Sequence, residues 1–402
     1  MTLADCFFGL GVNNAAFQKV FPEGKILWGS EIKNSKYGKY LDDLSKKNYP
    51  NKKNLGNILF IRESPHVKII AGGFPCQDIS ITNPNFLLKK DGCGTSGKKS
   101  SLYGEMLRIV VESDIPIIHF ENVANICKIG LNNVLHDLYE LGFDVQYKTY
   151  YLYEFGSQHG RRRTYIIAYK NFKTMNSIFN EDFEDFMNKY NFEVPIITYD
   201  QENLTFTHNN ITYPLLVEKT TESTYRNKAL GNSVHMFAAT YAQDAIYRLS
   251  NKKTSPINVK YIGNVNNFYN DKRSYIAMPN CAIMTNGEIY ETPTPPKRSF
   301  TPSDKYLFSI PTPLHVITSS WDDVFCLAKY DSKERIHIFK TSKFNLDPNI
   351  FFKSWYLKNN GVDKIVDIYD FRKNMKPNLP EIIVNPILVE LQMGFDINYT
   401  KL

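Results

Sequence analysis

Within the first 170 residues, short apolar runs alternate with amphipathic stretches, and this alternation constrains the fold more than any other feature of the chain. It is the pattern of βαβ units and a mostly parallel sheet. Strands are expected at Ala4–Gly9, Lys25–Ser30, Val67–Ala71, Ile115–Phe120, Phe143–Leu152 and Thr164–Tyr169, and helices at Asn13–Val20, Ser101–Glu112 and Asn132–Leu141. The strand at Val67–Ala71 runs into Gly72-Gly73 and then Phe74-Pro75-Cys76-Gln77, which puts Cys76 at the carboxyl edge of the sheet. Glu121-Asn122-Val123, 45 residues later, follows a second strand to the same edge. Open α/β sheets build their sites there.

The chemistry of that pair is specific. A cysteine attacks well only as thiolate, and a pyrimidine ring accepts such attack readily only when an acid protonates it. The chain has six cysteines, Cys6, Cys76, Cys93, Cys127, Cys281 and Cys326, and none form a C-x-x-C pair. That argues against a zinc site and against a disulfide framework, and no metal is expected. The other five read as small buried hydrophobes.

At 402 residues, with 43% hydrophobic and 14% aromatic content, the chain can bury one large domain and a smaller one. No apolar run reaches the roughly 18–20 residues of a membrane helix, and the amino-terminal stretch has no signal-type core. The expected location is cytoplasmic, in bacterium or phage, or intracellular in a virus-infected host. A net charge of +7 is compatible with a polyanionic partner and weak by itself.

Three further regions differ in texture. Residues 78–101 are polar, glycine-rich and basic, which fits either a surface insertion or a mobile lid whose lysines meet phosphates. Residues 226–249 read as a loop, Gly231-Asn232-Ser233-Val234, followed by an amphipathic helix. From Asn251 short strands are separated by proline-rich turns, and residues 252–402 carry 20 Lys/Arg against 15 Asp/Glu. The expected organisation is a catalytic domain over 1–250, a smaller β-rich second domain over 251–389 and a bracing segment over 390–402.

Asp5-Cys6-Phe7-Phe8-Gly9-Leu10-Gly11 is a strand, a glycine turn and a helix start, with Glu31 ending the next strand about 20 residues on. Glycines there let a nucleotide approach the backbone, and the carboxylate accepts ribose hydroxyls. There is no full dinucleotide fingerprint and no phosphate loop, so an adenosine ligand lacking a pyrophosphate, such as S-adenosylmethionine, fits best.

Taken together these motifs resemble the DNA (cytosine-5)-methyltransferase family. The resemblance covers residues 3–170, resumes at 226–246 and has a fragment near the C-terminus. It implies a Rossmann-like α/β methyltransferase fold with a β-rich target-recognition domain. It implies S-adenosyl-L-methionine as cofactor, with S-adenosyl-L-homocysteine as product. In this resemblance Phe7 packs on the adenine, Gly9, Leu10 and Gly11 form the turn, Glu31 holds the ribose and Ile32 covers the adenine. Leu55-Gly56-Asn57-Ile58 is similar to a Gly-Asp-Ile motif, with Asn57 in place of the aspartate beside Ile58. Gly73 and Pro75 flank the nucleophile, Leu102-Tyr103-Gly104-Glu105 resembles a Leu-Phe-x-Glu motif, and Asn232 and Ser233 close over the methionine end. The implied DNA contacts are Gln77, Ser80, Lys98 and Lys99.

Two departures stand out. The family's Gln-x-Arg-x-Arg appears as Gln158-His159-Gly160-Arg161-Arg162-Arg163, with Arg161 and Arg163 on the two arginines. The motif bracing the recognition domain has its closest match at Glu390-Leu391-Gln392-Met393-Gly394-Phe395, behind the Gly-Asn-Ser-Val loop instead of before it. The implied reaction flips a cytosine out of duplex DNA and forms a Cys76–C6 adduct. Glu121 acts at N3, Arg163 orients the base and supports Glu121, and Arg161 assists. A cognate restriction endonuclease acting separately and a monomeric state are further expectations of the resemblance. A tRNA substrate and a catalytically decayed DNA-binding protein are the alternatives; a Rossmann-like dehydrogenase lacks its glycine fingerprint here.

Overall fold

The computed structural model describes residues 1–76, 102–155, 162–179, 182–195, 197–200, 205–214, 216–218, 220–269, 276–293, 328–329, 337–338 and 382–402. Its centre is a ten-stranded sheet. The first seven strands are β1 (Thr2–Cys6), β2 (Lys25–Ser30), β3 (Lys53–Asn54), β4 (Ile69–Gly73), β5 (Ile117–Val123), β6 (Asp144–Tyr151) and β7 (Arg162–Tyr169). The helices between them are α1 (Val12–Val20), α2 (Lys36–Asn48), α3 (Tyr103–Glu112) and α4 (Leu131–Glu140). Beyond β7 lie α5 (Phe183–Lys189) and a small antiparallel sheet of β8 (Thr198–Asp200), β9 (Thr205–His208) and β10 (Ile211–Pro214). The strand β11 (Leu216–Glu218) then leads into α6 (Thr221–Asn232) and α7 (Met236–Ser250).

Strand order across the main sheet is β12-β14-β13-β6-β7-β5-β4-β1-β2-β3, with β12 (Lys260–Asn264), β13 (Cys281–Thr285) and β14 (Glu288–Glu291) at one side and a short α8 (Val265–Phe268) after β12. From β5 to β3 all neighbours are parallel, and from β5 to β12 all are antiparallel. Thus β1–β6 and β14 run one way, and only β7, β12 and β13 oppose them. The expectation of a mostly parallel sheet holds in this sense. Strands β4 and β5 are apolar and buried along most of their length, as strands covered on both faces must be.

Two corrections follow from the topology. The boundary expected at residue 250 falls inside the sheet, because β13 pairs with β6 and carries β14 and β12 with it. The sequence from Cys281 to Met284 is continuously buried, the mark of an internal strand, and proline-rich neighbours masked that mark. Most of the remainder expected as the second domain lies outside the described residues, apart from the pair β15 (Ala328–Lys329) and β16 (His337–Ile338), and β17 (Ile382–Val384). Second, Gly231 and Asn232 are the last turn of α6 and not a loop. That helix buries Ser223, Arg226 and Asn227 alongside Ala229 and Leu230, so it shows no clean apolar stripe. A capping box between Thr220 and Ser223 starts it.

The chain ends in α9 (Pro386–Gln392), capped by the Asn385 side chain at the Ile387 N–H, 3.1 Å away, with proline in its first turn. It packs with α6 and α2 in one apolar cluster that includes Leu10, Tyr40, Leu230, Leu391 and Phe395. Among the described residues no helix is long and apolar enough to cross a membrane.

Candidate functional site

The register of three strands builds the candidate catalytic edge. Gly73 of β4 stands beside Glu121 of β5, and Val123 of β5 stands beside Arg163 of β7. The absence of a side chain at Gly73 is required, since a Cβ there would lie 2.7 Å from Glu121 Oε2. Arg163 Nε lies 2.8 Å from Glu121 Oε1 in an ion pair, and both side chains are only 11–12% exposed. Arg163 Nη1 donates to the Arg162 carbonyl at 2.9 Å, which fixes the plane of the guanidinium. A charge-assisted pair this sheltered is worth more than a surface ion pair.

The loop that carries Cys76 is anchored from β5. Asn122, buried, donates from Nδ2 to the Phe74 carbonyl at 3.1 Å and accepts the Val123 N–H at 2.8 Å. The Phe74 ring is buried against Phe120 and Tyr103, with centroids 5.5 and 5.4 Å away. Cys76 itself is half-exposed, whereas Cys6, Cys127 and Cys281 are buried, as expected of small hydrophobes. Cys127 also meets Thr149 and Thr164, which hydrogen-bond each other at 2.8 Å, and burial pushes its thiol up. A group so arranged is inert.

The second half of the site is the glycine turn after β1. Strand β1 stops at Cys6, short of the expected Gly9, because Phe7 adopts φ 54°. Gly9 and Gly11 follow at φ 49° and 75°, in the left-handed region that glycine tolerates. The Gly9 N–H donates to Glu31 Oε2 at 3.1 Å, and the Ile32 N–H to Glu31 Oε1 at 3.0 Å. Burial raises the Glu31 carboxyl from its ordinary range, while those two donors pull it back. Asn54 organises the approach, its Oδ1 accepting the Glu31 N–H at 3.1 Å and the Gly56 N–H at 2.9 Å. The turn has room for a ligand: a Cβ at Gly9 would meet only the Phe7 carbonyl, at 4.0 Å. A carboxylate with free lone pairs beside an open glycine backbone fits an adenosine-type group.

Beneath the turn, Asp5 and Lys52 are both buried. The Lys52 ammonium sits 3.4 Å from the Phe8 ring centroid. Burial lowers Lys52 to about 8 against the pull of Asp5, Glu31 and Asp42, and burial raises Asp5 to about 6. A cation there steadies Glu31 without contacting it.

Asn57 is placed near this pocket, but its side chain caps the following turn by accepting from the Leu59 N–H at 3.1 Å. Ile58 is buried, Ile32 is 48% exposed, and Leu102 and Pro75 are partly buried. Asn232 is exposed at the end of α6, within hydrogen-bonding reach of Tyr37, and Ser233 Oγ donates to the Val234 carbonyl at 3.1 Å. Gln77, Ser80, Lys98, Lys99, Gln158, His159 and Arg161 lie outside the described residues, as does the stretch 78–101.

Several organising residues were not legible beforehand. Asn122 stood in a quoted motif without a role, and Asn54 and Lys52 carried no motif at all. The segment 390–402, expected to brace a recognition domain, packs in the described structure against α2, α6 and the glycine turn. Glu390 is buried and accepts from Arg226 Nη2 at 2.9 Å, from the Asn398 N–H at 2.7 Å and from the Thr400 N–H at 2.9 Å.

The family model of C-5 cytosine-specific DNA methylase matches residues 1–308. The type II methyltransferase M.HhaI of Haemophilus parahaemolyticus is 26% identical over 242 residues, covering 56% of this chain and 67% of that protein. The type II methyltransferase M.Sau3AI of Staphylococcus aureus is 30% identical over 156 residues, covering 33% of this chain and 37% of that protein. The chain therefore spans about a third to two thirds of the length of these relatives. Among solved structures, the S. pombe Dnmt2 methyltransferase aligns at 14% identity with a TM-score of 0.34, over 48% of this chain and 55% of that one.

Proposed function

Because the chain belongs to the C-5 cytosine-specific DNA methylase family, we propose that it methylates C5 of a cytosine rotated out of duplex DNA, through a transient bond between Cys76 and C6. The observation that carries this reading is the Glu121–Arg163 pair, held by strand register beside the loop that presents Cys76. S-adenosylmethionine, when bound, supplies an electrophilic methyl group. Glu31, the open backbone at Gly9, and Asn232 with Ser233 are the residues that would hold it.

The chain's own groups account for the remaining steps. The Cys76 thiolate adds to C6 of the cytosine while Glu121 donates a proton or hydrogen bond to N3, which spreads the developing negative charge. Arg163 uses Nε to hold Glu121 and Nη1 to hold its own orientation, which leaves Nη2 for the base carbonyl. After methylation at C5, loss of the C5 proton expels Cys76 and restores the ring. Extrusion of the base costs a few kcal/mol and gives the thiol access to a ring that stacking otherwise covers.

The direct test is transfer of label from tritiated S-adenosylmethionine to unmethylated duplex DNA, with 5-methylcytosine mapped by bisulfite sequencing. Labelled cytosines in a short recurring context, lost in Cys76→Ser, are expected. Label in Cys76→Ser at wild-type rate would sink the mechanism, and label on tRNA but not on DNA would overturn the substrate.

A further inference from the structure

The glycine turn is held from residues nearly the whole chain away. Tyr399 donates to the Leu10 carbonyl at 3.3 Å, Tyr49 donates to the Gly11 carbonyl at 3.3 Å, and the two phenol oxygens are 3.0 Å apart. Two hydroxyl protons thus serve three contacts, so the pair acts as one shared unit across two successive carbonyls. The Tyr49 ring also lies against Gly11, where a Cβ would be 3.0 Å from its edge.

Tyr399 has little freedom of its own. Its ring stacks on Phe395 at 4.7 Å with 22° between planes. Its two neighbours, Asn398 and Thr400, both donate backbone N–H groups to the Glu390 carboxylate. The same carboxylate accepts from Arg226 of α6, whose last residue is Asn232. One buried carboxylate therefore fixes both the phenol on the glycine turn and the helix that presents Asn232.

We propose that the C-terminal segment is a positioning element for the methyl donor, with the Tyr399 hydroxyl, paired to Tyr49, setting the glycine turn in its ligand-ready shape. The turn needs such support because Phe7, which carries a side chain, is held left-handed at φ 54° two residues before Gly9. Tyr399 touches no reacting atom; it acts through the Leu10 carbonyl. The inference rests on the reading of this pocket as an S-adenosylmethionine site.

The test uses the full chain and S-adenosylhomocysteine as probe, by titration calorimetry, together with steady-state kinetics. Tyr399→Phe removes one hydroxyl and keeps the stacked ring. It is expected to weaken S-adenosylhomocysteine binding roughly two- to tenfold, the effect of one neutral hydrogen bond. The KM for S-adenosylmethionine should rise by the same factor, with KM for DNA and kcat at saturating donor unchanged. Tyr40→Phe is the control, because the Tyr40 hydroxyl donates to the Thr400 carbonyl and ties down the tail without touching the turn. It should lower thermal stability and leave donor affinity alone. Equal losses of affinity in both variants, or none in Tyr399→Phe, would overturn the proposal. Absence of S-adenosylhomocysteine binding by the wild type would remove the cofactor reading itself, and the inference with it.

Discussion

The Glu121–Arg163 edge and the glycine turn are the two halves of the proposed site, yet they are held in opposite ways. At the edge, position comes from strand register: Gly73, Glu121 and Arg163 sit on three adjacent strands, and the backbone ladder sets their spacing. At the turn, position comes from side chains contributed by distant segments: Tyr49 and Tyr399 meet the loop that contains left-handed Phe7, Gly9 and Gly11, and Glu390 with Arg226 stands behind Tyr399. A ladder shares its load over many bonds, so no single substitution away from the reacting groups should undo it. A convergence of side chains has no such redundancy. The edge should therefore fail in chemistry first, and the turn in stability and ligand affinity first.

Substitutions can break this contrast. The largest effect is expected for Glu121→Gln, which keeps the shape of the edge but removes the acid; methylation should slow by roughly 10²–10⁴, beyond what the loss of the ion pair does to the folded fraction. A matching loss of stability would show that the edge depends on the ion pair for its fold. Arg226→Met comes next: it leaves Glu390 buried without its cation, and denaturant unfolding should lose about 3–5 kcal/mol. A loss below about 1 kcal/mol would mean that the backbone donors at Asn398 and Thr400 suffice for the carboxylate. Asn122→Ala tests whether the edge is as redundant as its ladder suggests, because the Asn122 side chain ties β5 to the Phe74 carbonyl. About 1–3 kcal/mol is expected, with turnover reduced in step; a neutral result would assign the Cys76 loop to the packing of Phe74 alone.

Acid acts on both halves at once. His119 under the edge and His235 at the start of α7 are buried, and burial lowers each to about 3. In the unfolded chain both take up a proton below about pH 6.5. In the folded chain they do not until about pH 3, so stability should be lost as pH falls from 6.5 toward 3. Asp5, raised to about 6, opposes this, because the folded state binds its proton more readily than the unfolded state between pH 3.8 and 6. Two histidines shifted further than one aspartate should win, and unfolding midpoints at pH 7 and pH 5 measure the balance. Equal midpoints would mean that Asp5 cancels both.

The same contrast explains what could be read from the amino acids. The places of Cys76, Glu121 and Arg163 at the sheet edge were legible because each ends or flanks a strand whose apolar run announces it, and the proposed chemistry calls for those residue types. Glu31 was legible from its distance to Gly9. The strands at 260–291 were assigned to a separate unit because proline-rich turns next to Cys281–Met284 hid an internal strand. Helix α6 was read as a loop at its end because polar residues fill its buried face. Glu390 drew attention as part of a displaced motif, but its partner Arg226 lies 164 residues earlier, and no local pattern links them. Tyr49 and Tyr399 carry no periodic signal, since their role is a meeting of two hydroxyls in space.

One contact has a consequence for how the protein comes into being. The Leu10 carbonyl waits for a hydroxyl 389 positions further along the chain. Translation proceeds at about 5–20 residues per second, so the loop after β1 spends tens of seconds without its final partner. Strand β1 can pair with β2 early, yet the turn behind it stays provisional until residues 399 and 400 have been made. The turn is thus made early and matures late, and a polypeptide released before Tyr399 would carry Cys76 with its glycine turn unfinished.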